Sequence, residues 1–252
     1  MRMYGFTLPG ALLALVLPAP ARVLAQQFEG TVTIRTAHLT SDVVSEQIGE
    51  GADERAREKI YALSLQQVAQ LGGAADANVM QFKGGRMRSA NFEMPGMGSA
   101  YMVLDLTGSM MRTVAPSKRG YYETSLRGST PATAEEVEEI KIEPLGRTQV
   151  INGTPCTGYR VTQGESVSHV WTTSDAAFRQ LVTGWLSMAG DEDANVQQAR
   201  ALITRYGAPV MTQEFDPEGG YRLEIWSLER KSLPDSLFAI PAGFTKLRLP
   251  GN

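Results

Sequence analysis

The chain has 252 residues, with 24 Lys and Arg against 27 Asp and Glu, two histidines, one cysteine and a formal net charge of −3. A mild acidic balance argues against a nucleic-acid surface, which needs clustered Lys and Arg. One cysteine excludes an internal disulfide, and with only two histidines beside it a zinc site of the usual His/Cys type has too few ligands.

Residues 1–25 are expected to be a secretory signal peptide. Arg2 gives the positive start, "GALLALVLPAPA" the apolar stretch, and "VLA" a cleavage position after Ala25. Position 26 is Gln, so no lipid-anchoring cysteine follows. Removing the segment takes away Arg2 and Arg22, leaving 24 − 2 = 22 basic against 27 acidic residues, a net charge of −5. No later stretch approaches eighteen consecutive apolar residues, so no transmembrane segment is expected in the mature chain. The compartment implied is periplasmic or extracellular. The remaining residues, 26–252, are enough to bury roughly 70% of their unfolded surface in one domain.

"FEGTVTI" opens a two-residue alternation, with Phe28, Val32 and Ile34 on one side. "TAHLTSDVVSEQIGEGADE" reads as a polar, mobile stretch. A helical stripe then runs near 53–71, from a possible Asp53 cap through Ile60, Leu63, Val68 and Leu71 to Gly72-Gly73. Extended pieces follow around Gly84-Gly85 and Thr107-Gly108, then "YYETS", "IKIEPLGRTQVI" and "CTGYRVTQGESVSHVWTT". Helical spacing returns near 176–206, first at Phe178, Leu181, Val182, Trp185 and Leu186. After "AGDED" it resumes at Val196, Ala199, Leu202, Ile203 and Tyr206. "VMTQEF" and "YRLEIWSLERKSL" close the series. About ten strands joined by Gly-bearing turns predict a mainly antiparallel sheet rather than βαβ units.

Seven of the eleven methionines fall between Met80 and Met111. Pro95-Gly96 predicts a type II turn, which would bring Met94 and Met97 to its two ends, α-carbons within about 7 Å. Two thioethers could meet there, and Cu(I) binding by methionine is one alternative reading. Cu(I) wants a further soft ligand, and no Cys or His is near in sequence. The other reading is a hairpin tip leading into a deformable apolar wall.

The obvious reactive pair is Cys156 with His169. A hairpin turn at Gly164-Glu165 pairs Gln163 with Ser166, Arg160 with His169 and Cys156 with Thr173. Cys156 then lies four residues along the ladder from His169, roughly 13 Å away, which excludes a dyad. His38 reads as a surface histidine. "EEVEEI" and "DED" read as solvated turns or helix starts, and no HExxH, nucleophile elbow or phosphate loop is present. "NGT" at 152–154 is formally a glycosylation sequon and, first of all, a tight-turn signal. No catalytic residue, cofactor or metal site is predicted, and the expected protein is not an enzyme.

"LGRTQVINGTPCTGYRV", "VWTTSD", "GAPV" and "SLPDSLFAIPAGFTKL" resemble the secreted family known as domain of unknown function 4412. The likeness extends upstream through "FEGTVTI", "FKGGRMR" and "YMVLDLTGSMMRTV". Its most specific pieces are Gly153, Cys156 and Tyr159, and Phe238, Ile240, Pro241, Gly243 and Phe244. That family more distantly resembles the carriers and receptors that move lipoproteins across the bacterial periplasm. The resemblance implies a β-rich α+β fold: one large curved antiparallel sheet, an incomplete barrel, with helices packed on its concave side. It places Cys156 at a packed strand position and implies apolar-ligand binding as an inherited possibility.

The functional expectation is therefore a secreted or periplasmic binding protein holding an apolar ligand, such as a lipid, an acyl chain or a lipoprotein-like group, between sheet and helices. Candidate lining residues are Met94, Met97, Tyr101, Met102, Trp171, Phe178 and Trp185. The alternative partner is another envelope protein, with no small ligand bound.

Overall fold

In the computed structural model, which describes residues 28–48, 54–72, 75–94, 96–105, 108–125, 139–164, 166–186, 194–216 and 219–248, the alternating segments form thirteen strands of one sheet. The expected signal segment lies outside these residues. In chain order come β1 (Gly30–Thr40), α1 (Ser41–Ile48), α2 (Glu54–Tyr61), α3 (Leu65–Gly72), β2 (Ala75–Lys83), β3 (Arg86–Ser89), β4 (Phe92–Met94) and β5 (Gly98–Asp105). Then follow β6 (Met110–Ala115), β7 (Gly120–Ser125), β8 (Ile140–Ile151), β9 (Thr154–Gln163), β10 (Ser166–Thr173), α4 (Ala176–Leu186), α5 (Ala194–Tyr206), β11 (Ala208–Asp216), β12 (Gly219–Arg230) and β13 (Thr245–Lys246).

The strand order is β13-β7-β6-β5-β3-β2-β1-β12-β11-β10-β9-β8, with β4 paired to β5 beside this path. Every pairing is antiparallel except the two-residue β13–β7 contact. The sheet is open, with β8 and β13 at its ends, and the fold is β-rich α+β as expected. It has more strands than the sequence suggested, because short pieces such as β4 and β13 carry too few residues to show a period.

Turn chemistry sets the registers. Gly84 and Gly85 have φ of 55° and 73°, the left-handed pair that a tight hairpin needs, and they close β2 onto β3. At the β8–β9 hairpin Asn152 and Gly153 take φ of 48° and 82°.

Two expectations change in the helices. Of the stretch expected to be mobile, residues 36–40 belong to β1 and Ser41–Ile48 form α1, whose Val44 is fully buried, while 49–53 lie outside the described residues. The single stripe over 53–71 is two helices, α2 and α3. They part at Ser64, where the backbone N–H of Ser64 donates to Gln67 Oε1 at 2.9 Å and Gln67 N–H donates to Ser64 Oγ at 3.3 Å. This reciprocal S-x-x-Q cap starts α3 afresh. At α4 the Asp175 carboxylate accepts from Ala177 N–H at 2.7 Å and from Phe178 N–H at 3.4 Å, capping the helix.

The core is divided by β1. Val32 and Ile34 are buried in a cluster with Phe28, Phe82, Met87 and the α4 residues Phe178, Leu181 and Val182. Ala37 and Leu39, of opposite parity, are buried in a second cluster with Val44, Ile60, Tyr61, Leu65, Val68 and Phe215. Since side chains alternate along a strand, α1–α3 and α4 cover opposite faces at opposite ends of β1. A third cluster forms where Leu233 and Phe238 fold back over Tyr101, Val103 and Val114.

Candidate functional site

A cleft opens where the β2–β3 turn meets α4. It is lined by Phe28, Phe82, Lys83, Gly85, Arg86, Gln180, Leu181 and Gly184 and holds about 260 Å³, counting the part open to solvent. Its enclosed part is no larger than a water molecule. The floor is aromatic. Phe28 and Phe82 meet edge to face at 6.0 Å between centroids, and Trp185 meets Phe82 at 6.3 Å.

The rim is charged. Lys83 and Arg86 are direct cross-strand partners either side of the turn, so two cations stand side by side. Lys83 donates to the Leu233 carbonyl and lies 3.3 Å from Glu29 and 3.8 Å from Asp235. Arg86 pairs with Asp235 at 2.5 Å. Arg230 donates to Gln180 Oε1 at 2.9 Å and stands over the Phe28 ring. These contacts hold two carboxyls below the usual range: Asp235 chiefly through the Arg86 hydrogen bond, and Glu29 chiefly through the Leu233 N–H it accepts, with Lys83 adding to it.

A second polar assembly lies beneath α2. Arg160, His169, Gln213 and Arg222 are successive cross-strand partners on β9, β10, β11 and β12, and so share one face. From α2, Glu58 accepts from Arg147 at 2.8 Å and lies 3.6 Å from both Arg160 and the His169 Nε2. His169 is 1% exposed. Burial lowers its pKa to about 4; Glu58 opposes that shift, and Arg160 and Arg147 add to it. It is a neutral, packed histidine at ordinary pH.

The Cys156 reading stands on the observed register: Ser166 pairs with Gln163 and His169 with Arg160. Cys156 is buried, its Sγ donates to the Thr154 carbonyl at 3.3 Å, and burial pushes its pKa up to about 11. Asn152 of the sequon spends its side-chain amide on Glu224 Oε2 at 3.1 Å and the Ile225 carbonyl at 3.3 Å. His38 is exposed and pairs across the ladder with Tyr221.

The seven candidate lining residues do not converge. Trp171 and Phe178 are buried in the α4 cluster, with Met102 and Trp185 packed against it. Tyr101 belongs to the cluster under the C-terminal segment. Met94 and Met97 flank the hairpin turn, whose Met97 N–H donates to the Met94 carbonyl at 3.0 Å. That is the expected turn, and both side chains are half-buried. Met87 is buried in the cluster that holds the α4 residues, with Met80 and Met111 packed against it. Among the described residues no three His, Cys, Asp or Glu side chains are grouped to hold a metal.

The cleft residues were not singled out by sequence. The signal that was available is "FKGGRMR": a two-glycine turn places Lys83 opposite Arg86, and like charges directly opposed are destabilising unless something neutralises them.

The chain is thus an open, β-rich sheet with helices on both faces and a charged-rim cleft between the β2–β3 turn and α4. The family model "Domain of unknown function (DUF4412)" matches residues 62–244, and the chain belongs to that family. No curated protein matches it. Among solved structures it is similar to PNGF-II, at 13% identity and a TM-score of 0.37, covering 86% of this chain and 31% of that one. This chain thus spans about a third of that protein's length. Among the described residues no helix is long and apolar enough to cross a membrane.

Proposed function

We propose that residues 26–252 act as a single non-enzymatic domain of the bacterial envelope, periplasmic or secreted, that binds an apolar molecule such as a lipid or acyl chain between the sheet and α4. The supporting observation is the cleft, which has an aromatic floor and a polar mouth, the combination such ligands require. As it stands the enclosed part holds no more than a water molecule; a chain enters as α4 lifts from the sheet, where flexible methionine side chains refit around it.

Native mass spectrometry of the protein extracted gently from its own envelope tests this. An apolar mass should co-purify and be lost in Gln180→Trp, which puts an indole at the half-buried cleft mouth. A clean apoprotein in every extraction rejects the reading.

One observation favours a second reading, an envelope protein-interaction module. Strand β8 is at the end of the sheet, is exposed at most of its twelve positions, and carries Val150 at 69% exposure. Such an edge accepts an added strand from a partner. A photo-crosslinker at position 150 should then capture one protein reproducibly in intact cells.

A further inference from the structure

The like-charged pair at the cleft rim carries more than the apolar floor does. Lys83 and Arg86 face each other across a two-residue turn, where each raises the cost of the other. Arg230 brings a third cation to the same rim, on Gln180. The carboxylates that answer them come from outside the hairpin. Glu29 precedes β1, and Asp235 sits in the segment after β12 with its side chain 71% exposed. Asp235 touches both rim cations, at 3.8 and 2.5 Å, and is open to solvent. An incoming anion can therefore take its place without any buried group being unmasked.

We infer that the cleft selects a single-chain anionic amphiphile, a carboxylate or phosphate on an apolar tail. Lys83 and Arg86 receive the head and Asp235 serves as the resident stand-in for it. This rests on the apolar-ligand reading above and adds the charge of the ligand to it. The tail lies against Phe28, Phe82 and Leu181, which are buried until α4 lifts. Arg86 is the natural partner of the head because its guanidinium meets a carboxylate or phosphate through two parallel N–H groups, while Lys83 supplies a point charge.

The test is isothermal titration of the full chain with four probes of equal tail: dodecanoate, dodecyl phosphate, dodecanol and dodecyltrimethylammonium. Both anions should bind about tenfold or more tightly than the neutral and cationic probes, the scale of one charge-assisted contact. Whichever anion binds tighter identifies carboxylate or phosphate as the preferred head. Lys83→Gln and Arg86→Gln, made separately, should each erase most of that preference, weakening the anions far more than dodecanol. Asp235→Asn, at an exposed position, should strengthen anion binding severalfold. Equal affinity for all four probes overturns the charge selection and leaves apolar binding standing. If no probe binds, the apolar reading falls with it. A preference for anions that persists in both Gln variants and is untouched by Asp235→Asn also overturns this assignment.

Discussion

The phenol ring of Tyr61 lies flat on the imidazole of His169, with centroids 3.8 Å apart and 19° between the planes. The contact ties α2 to the centre of the sheet, and both ends of Tyr61 are anchored: its hydroxyl donates to the Val167 carbonyl at 2.8 Å, and its own carbonyl accepts from Gln213 Nε2 at 3.1 Å. Tyr61→Phe should keep the stack and cost about 1 kcal/mol for the lost hydrogen bond. Tyr61→Ala should cost about 3 kcal/mol or more, through the cavity. Urea unfolding of both variants checks the ordering, and equal losses would mean that the ring contributes little.

His169 should make the protein acid-sensitive. An unfolded histidine titrates near 6.5, whereas this one titrates at about 4. Between those values the unfolded chain holds a proton that the native state refuses. Stability is therefore fully present above about pH 6.5 and falls as pH drops towards 4, by up to about 3 kcal/mol. His169→Phe keeps a ring under Tyr61 and cannot titrate, so its stability should fall less over that window. A slope identical to the parent's would assign the acid sensitivity elsewhere.

Cys156 should resist thiol reagents in the native state. Its thiol is buried and its pKa is about 11, so almost no thiolate is present at neutral pH. Modification with a chromogenic disulfide should proceed only with unfolding, at a rate that follows denaturant concentration. Rapid labelling without denaturant would contradict the packed position.

Gly158 is a packing requirement. A β-carbon there would lie 2.9 and 3.0 Å from two ring atoms of Trp171 and 3.1 Å from Leu145 Cδ1. Gly158→Ala should destabilise by about 1–3 kcal/mol as the indole is pushed aside, with a change in Trp fluorescence. An unchanged midpoint and spectrum would show that Trp171 has room to move.

Asn152 should stay unglycosylated, because its amide already binds Glu224 and the Ile225 carbonyl. Asn152→Gly keeps the left-handed turn and loses only those bonds. Asn152→Ala loses them and also strains the backbone at φ 48°. The alanine variant should be the less stable by about 1 kcal/mol; the reverse order in thermal melts would refute this account.

Much of the local structure was legible. The β9–β10 register followed from a two-residue turn, and helices near 176–206 followed from apolar spacing, because both depend on residues close in sequence. The break at Ser64 was missed: Ser64 and Gln67 have the spacing of a capping box, but they lie inside what reads as one stripe. What distant segments bring together was not legible. Glu58 reaches His169 from α2, and Asp235 reaches Arg86 from beyond β12; neither partner carries a pattern pointing at the other. The candidate lining residues scattered for the same reason. Aromatic and methionine positions reveal that a face is apolar, while only the sheet order decides whether α4 or the C-terminal segment lies on it.

Strand β1 is bounded by β2 on one edge and β12 on the other, and its buried face changes from Val32 and Ile34 to Ala37 and Leu39 midway along. Opening either helical layer therefore leaves half the strand packed and its paired backbone still bonded. In amide hydrogen exchange, the protons of Val32 to Leu39 should be among the slowest in the molecule, exchanging through global unfolding alone. Their protection would report the stability of the whole fold, while α4 amides exchange through its own smaller opening, the motion a ligand of this cleft would use.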